Sequence, residues 1–143
     1  MQQEGLTRNI GAFSRFLEIA SFSHGSVVNY TEIGREIGKN RKVVENYCSI
    51  LDDLLIGCMV PVFRKRAKRN LSTRPKFYFF DTGIHQTLLP RGPLDNYSEI
   101  SGPAMEGLFL QEVRAHNGYY GYGYELFFWR TASNLEVDFV LYG

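Results

Sequence analysis

The sequence predicts an α+β protein: a winged helix-turn-helix domain followed by a smaller unit of one helix and two strands. Three observations carry this. Apolar residues recur at helical spacing in three successive segments between Asn9 and Leu54. Two short runs, "CMVPVF" (58–63) and "KFYFFD" (76–81), then flank a basic, proline-containing segment as the arms of a hairpin do. After a stretch rich in Pro, Gly and Ser, a further helical pattern leads into two alternating runs that close the sequence.

Taken in order, Ile10, Phe13, Phe16, Leu17 and Ala20 form the stripe of a first helix from Asn9 to Ala20, which "SHGS" interrupts. Thr31 suits the N-cap of a short second helix carrying Ile33 and Ile37, with Gly38 in the left-handed position after it. Asn40 caps a third helix. Its apolar face is read as Val43, Tyr47, Ile50, Leu51 and Leu54, with Arg41, Lys42, Glu45 and Asn46 pointing away. The hairpin follows, its tip formed by "RKRAKRNLSTRP". Asp81 caps a short helix, "TGIHQTLL", which Pro90 stops.

On this reading the winged-helix domain spans 8–90 and a linker 91–103, leaving 104–143 as a second, partial unit. There Ala104 to His116 reads as a helix with Met105, Leu108, Phe109 and Val113 on its apolar side. "NGYYGYGY" reads as a flexible connection, and "ELFFWR" and "LEVDFVLY" as strands joined by the turn "TASN". One helix and two strands are too few to enclose a core, so this unit is expected to be incomplete.

With 44% hydrophobic and 22% charged residues in 143, the composition is that of a soluble globular protein. The longest apolar runs are too short to span a bilayer, and "MQQEGLTRNI" lacks the features of a secretory signal. The expected location is cytoplasmic, with no membrane partner. Cys48 and Cys58 form no CxxC pair, and His24, His85 and His116 are widely separated; buried thiols are expected, and no transition-metal cage. "GREIGKN" imitates a phosphate-binding P-loop but has three residues between its glycines and Asn40 where a hydroxyl is required. No nucleotide site of that kind is expected.

Net charge is +1, yet no Asp or Glu lies between Asp53 and Asp81, where Arg64, Lys65, Arg66, Lys68, Arg69, Arg74 and Lys76 all fall. Such asymmetry points to an electropositive face. In one reading Arg64, Lys65, Arg66, Lys68 and Arg69 neutralise phosphates, while Arg41, Lys42 and Asn46 approach the major groove of double-stranded DNA. In the other the run is a solvated loop, or it meets an acidic protein surface. Seven basic residues without an acid favour nucleic acid. Phe77 to Phe80 read as core rather than as a stacking platform, because alternation sends only half of them to each face.

Glu136 and Asp138 project from one face of the last strand, opposite Val137 and Phe139. Two adjacent carboxylates repel unless a cation or a basic residue lies between them. They suit Mg²⁺ or Mn²⁺ in phosphodiester hydrolysis, or they are ordinary solvent-facing acids, which from two carboxylates alone is the default. Glu106 supplies a third oxygen ligand if its helix packs across the sheet; Glu112 reads as surface.

The segments "VNYTEIGREIGKNRKVVENYCSILDDLLIGCMVPVF", "KFYFFDTGIHQTLL", "AMEGLFLQEV" and "FFWRTASNLEVDFVLYG" together resemble the C-terminal region of a large family of prokaryotic AAA-type ATPases. The resemblance covers nearly the whole chain in order. It implies a winged helix followed by a restriction-endonuclease-like unit of the PD-(D/E)XK type. On that pattern Glu106 matches the helix acid and Asp138 the strand acid, as catalytic and metal-binding residues, with Glu136 part of the local signature. The family's E-x-K strand is absent from these residues. The chain is accordingly expected to be a fragment of a longer parent, lacking both ATPase motifs and a complete nuclease site.

The function expected is that of the DNA-binding and regulatory C-terminal region of such an ATPase. A protein-interaction module docking on its own upstream ATPase domain, or on an acidic partner, is the alternative; part of a metal-dependent nuclease is a third. No cofactor is expected in the chain itself, with Mg or Mn belonging to the full-length parent and ATP to the upstream domain. Open strand edges also allow a homo-oligomer.

Overall fold

The structure, a computed structural model, describes residues 2–64, 74–90, 92 and 97–143, with the backbone alone for 2–8 and 97–100. In chain order the elements are α1 (Gln2–Phe22), β1 (Ser26–Val27), α2 (Tyr30–Ile37), α3 (Arg41–Asp53), β2 (Gly57–Val60), β3 (Lys76–Phe79), α4 (Thr82–Leu88), α5 (Tyr97–Tyr120), β4 (Glu125–Arg130) and β5 (Glu136–Tyr142). The fold is α+β, as the sequence predicts. Among the described residues no helix is long and apolar enough to cross a membrane.

Local chemistry sets the helix ends. Asn40 accepts from the Val43 amide at 3.0 Å and starts α3. Gly38 (φ 68°) ends α2 in the left-handed conformation. Asp81 accepts from the amides of Gly83 and Ile84 at the start of α4. For α2 the cap is Asn29 rather than Thr31. Its Oδ1 accepts from the Glu32 amide at 3.3 Å while its Nδ2 donates to the Glu32 carboxylate at 3.0 Å. The first bond satisfies one amide of the first turn, and the second, between the two side chains, holds the cap in place.

The first sheet is antiparallel in the order β1-β3-β2, with β3 in the middle. All four residues of β3 are buried, and their alternation divides them between two cores. Phe77 and Phe79 enter the helical core with Phe16, Ala20, Val28, Ile33, Ile37, Val44, Cys48 and Leu51. Tyr78 belongs to a second core with Cys58, Val60, Leu110 and Phe128. The C-terminal helix and hairpin therefore do not need to enclose a core of their own; they close the back of the first sheet. Backbone pairing reinforces the join. The Phe128 amide donates to the Pro61 carbonyl at 2.9 Å and the Phe63 amide to the Phe128 carbonyl at 2.6 Å, so β4 runs beside the segment that follows β2.

Three details depart from the sequence reading. α3 buries Val44, Cys48 and Leu51, one residue out of step with the expected stripe, while Ile50 and Leu54 face outward. α5 begins at Tyr97, inside the stretch read as a linker, and carries Pro103 within it. It also turns Gly107 and Leu110 inward, leaving Met105 65% exposed and Leu108 and Phe109 largely outside. The reason is steric: a Cβ at position 107 would lie 2.8 Å from the His24 imidazole, so only a glycine face lets α5 come this close.

Candidate functional site

Lys76 and Tyr78, two residues apart, leave β3 on the same side and meet the C-terminal unit. Lys76 is 2% exposed. Its Nζ donates to Asp138 Oδ1 at 3.0 Å, forms an ion pair with Glu136 Oε1, and lies 5.3 Å from the centre of the Phe128 ring. The other oxygen of Glu136 faces Arg130 Nε at 3.8 Å. Beside this group the Tyr78 hydroxyl donates to Glu106 Oε2 at 3.1 Å. The three acids singled out in the sequence are thus all engaged by side chains of β3.

The electrostatics follow from burial and pairing. Burial opposes the Lys76 charge, but its bonds to Glu136 and Asp138 together outweigh that, and the ammonium is held above the ordinary lysine range. Burial, and then the Asp138 charge, push Glu106 above the usual carboxylate range against the bond from Tyr78. Tyr78 is raised by burial and by Glu106.

Alternation alone would put Glu136 and Asp138 opposite Phe139. Instead one extra residue is inserted in β5 opposite Phe128, between the Phe127–Val140 and Trp129–Val137 pairs. Phe139 accordingly also turns toward β3, its ring 5.7 Å from Tyr78 and 5.5 Å from Phe109.

The resemblance to nucleases implies a divalent cation here, and the donor set can be held against that demand. Among the described residues no three His, Cys, Asp or Glu side chains are gathered to hold a metal ion. An ammonium already bridges Glu136 and Asp138, and Glu106 is engaged by a phenol. As arranged, this set does not fit Mg²⁺ or Mn²⁺, which need several free oxygens around one point.

A second constellation escaped the sequence. His24, 3% exposed, accepts from the Phe79 amide through Nδ1 at 2.9 Å, which leaves Nε2–H to donate to the Pro103 carbonyl at 3.0 Å. Its ring stacks on His85 at 4.0 Å, and His85 Nε2 lies 3.0 Å from the Ser21 carbonyl oxygen. Burial first, and the neighbouring His85 second, lower His24 to about 4. The neutral ring ties β3, α5 and α4 together. Only the folded chain brings these histidines into contact.

Arg41, Lys42 and Asn46 are exposed along α3. Arg41 Nε bonds Glu45 at 2.8 Å and its guanidinium lies 5.7 Å from the Tyr30 ring. Arg64 is half-buried and Arg74 exposed; Lys65, Arg66, Lys68 and Arg69 lie outside the described residues. Lys76, counted in the basic run, faces inward. The Tyr/Gly connection is pinned: Asn117 donates to the Tyr124 carbonyl at 2.8 Å and accepts from its amide at 3.0 Å. Beside it an open groove of about 360 Å³ is lined by Phe109, Val113, Tyr122, Tyr124 and Leu141 among others.

Comparison with known families gives two matches. A model described as a domain of unknown function, DUF8612, matches residues 1–95. Another, described as a domain of unknown function, DUF4143, matches residues 101–143. Searches of curated proteins and of solved structures returned no match.

Proposed function

This chain belongs to the DUF8612 family, and from that premise we propose that it is a winged helix-turn-helix module that binds double-stranded DNA and regulates an adjoining ATPase domain. The observation that carries the reading is the arrangement around α3. The order α1-β1-α2-α3-β2-β3, with the sheet in the order β1-β3-β2, supports a winged-helix reading, on which α3 would be the recognition helix and the β2–β3 hairpin the wing. Arg41, Lys42 and Asn46 stand exposed on that helix. In sequence, the acid-free basic stretch Arg64, Lys65, Arg66, Lys68 and Arg69 falls between β2 and β3, where this reading has the wing. Phosphate contacts from the wing would fix the register of α3 in the major groove. The resemblance of these segments to the C-terminal region of AAA-type ATPases supports placing the module beside an ATPase domain.

Fluorescence anisotropy with a labelled duplex at several salt concentrations tests this. Binding should weaken steeply with salt, and Lys42→Glu or the triple reversal Lys65→Glu, Arg66→Glu, Arg69→Glu should flatten the salt slope by about one for each phosphate left without its cation. Absence of any salt-sensitive binding refutes it.

One observation favours a second reading, a protein-docking module. The side of α5 bearing Met105, Leu108 and Phe109 is exposed and apolar. If docking on the ATPase domain is the main role, Met105→Asp with Phe109→Asp should abolish that association while leaving duplex binding intact.

A further inference from the structure

We propose that Lys76 is a built-in counter-ion that closes the Glu136–Asp138 pair to divalent cations and locks the base of the β2–β3 hairpin to β5. Lys76 opens β3 and is paired there on both sides, opposite Val27 of β1 and Val60 of β2. Its Cα position is therefore fixed by two ladders, and its ammonium leaves the sheet on the Tyr78 side. Burial leaves that charge almost no water, so its solvation comes from Glu136, Asp138 and the face of Phe128.

A divalent cation seated between the two acids would have to expel the ammonium. With β3 held from both edges, expulsion strands a positive charge in the second core unless the hairpin moves as well. Cation entry and hairpin position are therefore mutually exclusive states of one lock. Arg130, 3.8 Å from the second oxygen of Glu136, adds positive charge on the outer side and disfavours a metal further. The lock holds whether or not the hairpin meets DNA.

The test uses the whole chain and amide NMR. Titration with Mn²⁺ alone should leave the amides of residues 136–138 no more broadened than the rest of the surface, and Lys76→Met should render them selectively broadened. Without metal, Glu136→Gln with Asp138→Asn should speed hydrogen exchange at the amides of Phe77, Tyr78 and Phe79 at least tenfold more than at α3. Should the double variant fail to fold, Asp138→Asn alone should give a smaller, still localised, acceleration. Selective Mn²⁺ broadening of wild-type β5, or β3 exchange that accelerates no more than α3, overturns the proposal.

Discussion

Replacing Gly107 by Ala should destabilise the protein, although the same change elsewhere in α5 should stabilise it. A Cβ at 107 would stand 2.8 Å from His24 Nε2 and 3.0 Å from Cε1, where ordinary contact begins at 3.4 Å. The ring has no retreat: Nδ1 is fixed by the Phe79 amide, Nε2 by the Pro103 carbonyl, and one face by His85. Overpacking of this kind costs about 1–3 kcal/mol, partly offset by the roughly 1 kcal/mol that alanine gains over glycine within a helix. A net loss of up to about 2 kcal/mol follows from these two opposing effects. At Gly118 no atom outside the adjoining residues and the helix's own backbone lies within 4 Å of the added methyl. There only the helix preference acts, a gain of up to ~1 kcal/mol where the site is well formed. Urea midpoints of the two single variants, with the slope m checked for constancy, measure this. If Gly107→Ala rises in stability alongside Gly118→Ala, the wedge between His24 and α5 is refuted.

His24 should make stability depend on pH. Its folded value of about 4 lies below the ordinary 6.5, so the unfolded chain binds a proton that the native chain refuses. Stability is full above pH 6.5 and falls as the pH drops toward 4, by roughly 3 kcal/mol at ~1.4 kcal/mol per pH unit. The slope should flatten in His24→Gln, and an unchanged slope would assign it to other groups. Asn40→Ala should cost about 1 kcal/mol, and Asn40→Asp much less, since the carboxylate also accepts from the Val43 amide; thermal melts resolve the difference. Cys48, pushed up to about 12 by burial, and Cys58, raised for the same reason, should react with a thiol reagent only in denaturant. Rapid native labelling of either contradicts its burial.

The hairpin, the caps at Asn40 and Asp81, and the left-handed Gly38 were legible because each depends on residues within a few positions of one another. Glu136 and Asp138 were legible as a pair needing a positive partner for the same reason. Their partner was not. Lys76 sits in a run of basic residues whose composition argues for solvent, and only its place in the middle strand turns it inward. The bulge in β5 was equally hidden, because alternation across Glu136 to Phe139 reads as regular until a partner strand sets the register. α5 shows tertiary contact overruling local pattern. Met105, Leu108 and Phe109 offered the larger apolar stripe, but the approach to His24 requires a residue without a side chain, and Gly107 decides the facing. Nothing in the sequence near His24 announces its contacts with Pro103 and His85, which come from distant segments.

The pairing of β4 with the stretch after β2 bears on how this protein can be divided. A cut between residues 95 and 101, where the two family matches part, looks natural on paper. It would uncover Cys58, Val60 and Tyr78 along one sheet face and leave a lysine stranded there without its acids. The first piece would be left with a sticky, charged wound, and the second with a hairpin and helix holding no interior. Any dissection of what each half contributes should therefore substitute side chains in the intact chain.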